Sequence, residues 1–182
     1  MKILVVCAAL LWGASSELDR ALADATFGSR MPGDTVSFDG LHQFDGSALE
    51  SERLPHKVRV VAFVEPLNTK AGVERLAWWK ANAPSFADRA DLILVPSASP
   101  RSTADLRPLV VVDDPDCLLA ARFGALRLYQ GKLGALPLAF VVDDSNIVRA
   151  TIDVEHASKQ LSLIVQATQK LRQQLNEQTI SF

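Results

Sequence analysis

Thiol chemistry in this sequence rests on two residues, Cys7 and Cys117. Two cysteines are too few for a disulfide framework or a four-ligand zinc site, so each is read as a single thiol. Cys117 follows Asp113, Asp114, Pro115 and Asp116 at the predicted start of a helix. Helix amides lower a thiol's pKa there while the three carboxylates raise it, and the sequence leaves the balance open. A buried, inert cysteine is the ordinary alternative, because free cysteine packs like a small hydrophobe. The three histidines, His42, His56 and His156, stand in different segments with no second ligand at a metal spacing. Asp113, Asp114 and Asp116 offer oxygens to a hard cation, yet helix capping and a solvated loop explain them without one. No metal and no cofactor is expected. Glu65 is a candidate acid or base by its place after an apolar run, with no neighbour in the sequence to position a proton.

These residues must be carried by something, and the composition says what kind of body it is. The chain has 182 residues, 48% hydrophobic and 22% charged, with a formal net charge of −2. That is the profile of one soluble globular domain with an ordinary core, not of a disordered, collagenous or coiled-coil chain. No run of basic residues suggests nucleic acid or an anionic membrane. Met1-Lys2, the apolar run Ile3 to Trp12 and the small residues Gly13 to Ser16 have the three parts of a secretory signal. Ten apolar residues span only about 15 Å as helix, too short for a permanent membrane crossing. The expectation is therefore a signal peptide and lead-in over 1–25, cleaved near 14–25, and one domain over 26–182. The protein would be secreted or periplasmic if the signal is removed, and cytoplasmic otherwise. The competing reading makes MKILVV a buried first strand.

Beyond Pro32-Gly33-Asp34, short β-like pieces at Thr35–Phe38 and His42–Phe44 flank Asp39-Gly40, the dipeptide of a tight hairpin. Val58 to Val64 is a nearly continuous apolar run, the signature of a central strand covered on both faces. Gly72 to Ala83 places Val73, Leu76, Ala77 and Trp79 or Lys80 at helical spacing, and Pro84 ends the helix. Trp78 and Trp79 cannot both face inward, so one packs on the sheet and the other covers a rim or meets a partner. Strands are predicted at Asp91–Val95 and Leu109–Val112, with a loop over 96–108 and a short helix from the Asp-Pro-Asp segment to Gly124. Leu138–Val142 and Ile147–Ile152 form a hairpin in which Asn146 takes a left-handed conformation. Glu155 to about Glu177 is a long amphipathic helix with Leu161, Ile164, Val165, Thr168, Leu171 and Leu175 on one face.

That order, with VRVVAFVEP at 58–66, LVVVDDPDCLLAARFGA at 109–125 and GALPLAFVVDDSNIVRATI at 134–152, resembles the thioredoxin-like fold in its redoxin branch. The branch holds the alkyl hydroperoxide reductase/thiol-specific antioxidant family and the periplasmic thioredoxin-like oxidoreductases. The resemblance covers about residues 31 to 175. It implies a three-layer α/β sandwich: a central mixed sheet, flanking helices and a C-terminal amphipathic helix. Leu136-Pro137 before LAFVVDD looks like the family's cis-proline loop.

The departure falls where the family does its chemistry. Thioredoxin-like oxidoreductases carry Cys-x-x-Cys after the central strand; this chain reads Asn68-Thr69-Lys70-Ala71. Against the peroxiredoxin pattern Pro-x-x-x-Thr/Ser-x-x-Cys, Pro66 is present, Thr69 comes one residue early, and Gly72 or Val73 stands at the cysteine position. A sulfur nucleophile is required for either reaction. The expected role is a protein-binding or accessory factor working through the family's substrate groove, at Glu65, Pro66, Asn68, Thr69, Lys70, Ala135, Leu136 and Pro137. A protein or peptide partner follows from that reading. The alternative is a thiol-dependent antioxidant or oxidoreductase working through Cys117.

Overall fold

The computed structural model describes residues 31–50, 54–98, 106–107, 109–129, 132–153 and 157–180. The expected signal segment, His156 and most of the 96–108 loop lie outside them. The strands are β1 (His42–Gln43), β2 (Arg59–Val64), β3 (Asp91–Pro96), β4 (Val110–Asp113), β5 (Leu126–Tyr129), β6 (Lys132–Ala135), β7 (Leu138–Val142) and β8 (Val148–Asp153). The helices are α1 (Lys70–Asn82), continued by a 3-10 turn at Ala83–Ser85, α2 (Leu118–Arg122) and α3 (Ala157–Ile180).

All six residues of β2 are buried, and β2 lies inside a six-stranded sheet of order β1-β4-β3-β2-β7-β8. It pairs in parallel with β3, which pairs in parallel with β4, and antiparallel with β7, which turns into β8. The sheet is thus mixed, as expected. Side chains alternate across a strand, so β2 feeds two cores at once. Val60, Ala62 and Val64 join Trp79, Phe86, Ile164 and Leu171 in one cluster. Val61 and Phe63 join Phe38, Phe123 and Phe140 in the other. There Phe63 meets Phe123 edge-on at 5.6 Å between centroids, and Phe123 meets Phe140 at 4.9 Å. Each such pair contributes about 0.5–1.5 kcal/mol beyond burial.

Three local expectations are corrected. The first hairpin turns at Asp45-Gly46, not Asp39-Gly40: Leu49 N donates to Leu41 O, and Gly46 has φ +84°. Thr35 instead bridges Ile147, while β1 pairs with β4. A turn dipeptide reports a bend, but the partners of its flanks are set by the sheet they meet. In α1 and the 3-10 turn that continues it the inward line is Gly72, Leu76, Trp79 and Ala83, whereas Val73 is 54% exposed and Ala77 is exposed as well. The small Gly72 brings the helix backbone down onto the turn before it. Finally, β5 and β6 form a separate antiparallel ribbon that the sequence reading passed over.

Other elements fall where the patterns put them. Asn146 has φ +60° in the β7–β8 turn. Buried Asp143 holds that turn, accepting from Ser145 N, Ile147 N and Arg149 Nε at 3.0, 2.9 and 2.7 Å. Trp79 is fully buried and Trp78 is half-buried against it. Ile164, Thr168 and Leu171 form the buried side of α3.

Candidate functional site

Two strand-to-helix turns meet the carboxyl edge of the parallel strands, where open α/β sheets place their ligands. The first runs from Glu65 to Gly72. Thr69 caps α1: its Oγ1 accepts from Gly72 N at 3.0 Å and donates to Pro66 O at 2.7 Å, while Thr69 N donates to the same carbonyl at 3.0 Å. Both lone pairs of Pro66 O and one of the helix's orphan amides are thereby used within the turn. A Cβ built on Gly72 would collide with Pro66 O and lie 2.6 Å from Pro66 C. No side chain, a cysteine included, enters position 72 unless the backbone of the turn moves.

Across from it lies the loop before β7. Ser97, after β3, donates through N and Oγ to Val64 O at 3.0 and 3.1 Å, and Ala135 N donates to Ser97 Oγ at 3.4 Å. The chain end of β2 and the Ala135–Pro137 segment are therefore joined through one hydroxyl. Leu136 N donates to Ala125 O at 2.6 Å, and Leu138 N closes a three-residue turn onto Leu136 O at 2.8 Å. The amide before Pro137 is thus committed inside the chain, leaving its carbonyl a single lone pair for an incoming strand.

Of the eight groove residues read from the sequence, Asn68, Thr69 and Lys70 are exposed, Glu65, Pro66, Leu136 and Pro137 are half-buried, and Ala135 is buried. A substitution at Ala135 therefore reports on packing as much as on any groove. Glu65 has the positioning partner that the sequence concealed: Arg75 Nη2 and Nε approach its two oxygens at 3.3 and 3.4 Å. They stand ten residues apart, Glu65 just after β2 and Arg75 within α1, a spacing that carries no motif, so only the fold brings them together. Ser97 was equally invisible, one serine in a loop of several.

The second turn, Asp113 to Leu119, holds the thiol. Asp114 caps α2, its two oxygens accepting from Leu119 N and Ala120 N at 3.0 Å each. Burial raises the Asp114 pKa against these amides and the nearby Arg122. Cys117 stands at the N-cap position with φ +55°, a conformation that non-glycine residues adopt at a cost of about 1 kcal/mol or more. It is 6% exposed and packs in the phenylalanine cluster. Burial, then the charges of Asp114 and Asp116, push its pKa up to about 11. The open balance of the sequence reading is resolved toward the thiol: roughly one molecule in ten thousand is thiolate at pH 7.

His56 Nδ1 lies 2.9 Å from Asp91 Oδ1, pinning the lead-in of β2 to the start of β3. Among the described residues no group of three or more His, Cys, Asp or Glu could hold a metal ion. Among them, too, no helix is long and apolar enough to cross a membrane.

No protein-family model matches the chain, and no curated protein matches it by sequence. Solved structures do match. A peroxidoxin, BcpB of Mycobacterium tuberculosis, is 25% identical, with a TM-score of 0.60 over 72% of this chain and 94% of its own. The bacterioferritin comigratory protein of Xanthomonas campestris, described by its alkyl peroxide reduction activity, is 18% identical, with a TM-score of 0.61 over 78% and 98%. AhpC of M. tuberculosis is 19% identical, with a TM-score of 0.56 over 79% and 94%. The chain has a thioredoxin-like fold of the redoxin type, and its structural neighbours are peroxiredoxins. Those neighbours speak for the thiol-dependent alternative more than for an accessory role.

Proposed function

We propose that this redoxin-fold chain works by binding a protein or peptide partner, with the turn after β2 as part of the binding surface rather than as a catalytic centre. The observation that carries this reading is that Pro66 fills the space a side chain at position 72 would need. The turn has neither a sulfur nor room for one at position 72, and its Gly72 amide is spent on Thr69. What remains accessible is a polar rim, Asn68, Thr69 and Lys70, beside half-buried Glu65, Pro66, Leu136 and Pro137. Since the Leu136 amide is committed, side chains of the rim supply most of the recognition.

A second reading is supported by the peroxiredoxin neighbours: thiol-dependent antioxidant chemistry through Cys117. Its burial and raised pKa weigh against that reading. One experiment separates the two. The purified chain and its Cys117→Ser variant are each given hydrogen peroxide with a dithiol reductant, and peroxide loss is followed. Equal, background rates are expected. Turnover by the wild type that Cys117→Ser abolishes would establish the second reading instead. On the binding side, Asn68→Arg or Lys70→Glu should weaken a co-purified partner about tenfold. Retention by both variants, with loss on Trp78→Ala, would move the working surface to the face of α1.

A further inference from the structure

The far end of the molecule holds an open groove that the fold's usual site does not include. It lies between α3 and the segment Phe86–Ala90, with a volume of about 500 Å³. Three cations line it, Arg89, Lys170 and Arg172, against one carboxylate, Asp88. That balance is positive in a chain whose formal charge is −2. A smaller hollow of about 210 Å³ shares Lys170 and is bordered by Arg149 and Gln174.

The two guanidinium groups are held in place by main chain. Arg172 Nη1 donates to Asp88 O at 2.7 Å, and Arg89 Nη1 donates to Ser85 O at 3.3 Å. Each bond uses one donor of a planar fork and fixes the direction of the rest. Arg89 Nε also lies 3.6 Å from Asp88 Oδ1, but that carboxylate is 83% exposed and strongly solvated, so the pair is weak. Lys170 has no ion-pair or hydrogen-bond partner among the described residues. Along α3 the cations fall in the middle of the lining, flanked by the carboxamides Gln169 and Gln173. Gln166 and Asn176 close its ends, about 15 Å apart by helical rise.

The geometry points to a binding site for an anionic sugar or polyol: the cations take a phosphate or carboxylate, and the carboxamides on either side pair with hydroxyls. Inorganic anions are too small to use the flanking amides, while an open groove with this spread of cations and carboxamides has room for a phosphorylated hexose. Carboxamides donate and accept at once, as hydroxyls do, which is the complementarity such a ligand needs. Among small anions, one bearing hydroxyls is therefore preferred.

The test titrates the full chain with glucose 6-phosphate, glucuronate, inorganic phosphate and glucose, following amide chemical shifts of α3. Glucose 6-phosphate or glucuronate should bind at least about tenfold more tightly than either phosphate or glucose alone, and the tighter of the two identifies the anion as phosphate or carboxylate. Lys170→Gln, at an exposed position outside the core, should weaken that binding about three- to tenfold and leave the unfolding midpoint unchanged. Arg172→Lys should weaken it too, because the fork is lost while the charge stays. Equal binding of phosphate and sugar phosphate would reduce the site to a simple charge patch and overturn the inference. So would binding that Lys170→Gln leaves intact, or no shifts on α3 with any of the four.

Discussion

The two turns at the carboxyl edge of the sheet divide between them what a redoxin active site needs in one place. The β2–α1 turn has surface and no thiol; the β4–α2 turn has a thiol and no surface. Both are capped helix starts, yet they are capped to different ends. Thr69 closes an exposed turn with a hydroxyl and leaves Asn68 to Lys70 in water. Asp114 closes a buried one with a carboxylate whose charge then discourages a thiolate three residues on. The comparison teaches that a helix amide lowers a thiol's pKa only if nothing else claims the amide and if solvent can share the charge. Neither turn meets both conditions.

The largest effect should come from adding a side chain where the first turn is tightest. Gly72→Ala is expected to cost about 3 kcal/mol in chemical denaturation, since its new Cβ meets main chain that a rotamer change cannot move. Gly72→Cys should cost at least as much. Val73→Cys, one residue along at an exposed position, should be nearly neutral and should react with iodoacetamide in the native state, where Cys117 does not. Rapid native alkylation of Cys117 would erase the contrast between the turns.

Alkaline pH should act on the second turn alone. The folded thiol, with its pKa pushed up to about 11, keeps its proton above pH 9.0, where the unfolded one loses it. The folded state then binds more protons than the unfolded state, so stability falls as pH rises from about 9 through 11. A shift from about 9 to about 11 makes the full loss on the order of 2–3 kcal/mol. Cys117→Gly should abolish this slope.

The caps should differ as their settings do. Asp114→Ala removes two buried, charge-assisted bonds and is expected to cost about 2 kcal/mol, against about 1 kcal/mol for Thr69→Ala at its exposed cap. Equal costs would show that burial adds nothing to the carboxylate. The smallest effect belongs to Cys117→Gly at neutral pH. Relief of the left-handed backbone offsets the lost packing, and the midpoint should move by no more than about 0.5 kcal/mol.

Much of this was legible in residue order. Val58 to Val64 announced the central strand because a run of apolar side chains broken only by Arg59 must be covered on both faces. Asn146 announced its left-handed turn, and the spacing of Ile164, Thr168 and Leu171 announced the face of α3. The absence of cysteine from Asn68 to Val73 is a property of the sequence outright. These features depend on residues within a turn or two of one another, and such short-range constraints survive in the string of letters.

Tertiary structure decided the rest. Which flank of Asp39-Gly40 pairs with which strand, the closing of Gly72 on Pro66, the bridge of Ser97 from Val64 to Ala135, and the meeting of Arg172 with Asp88 all join segments through the packing of the sheet. The state of Cys117 belongs here as well. Its sequence neighbours Asp114 and Asp116 raise its pKa, and burial in a cluster built from residues far along the chain raises it more than either.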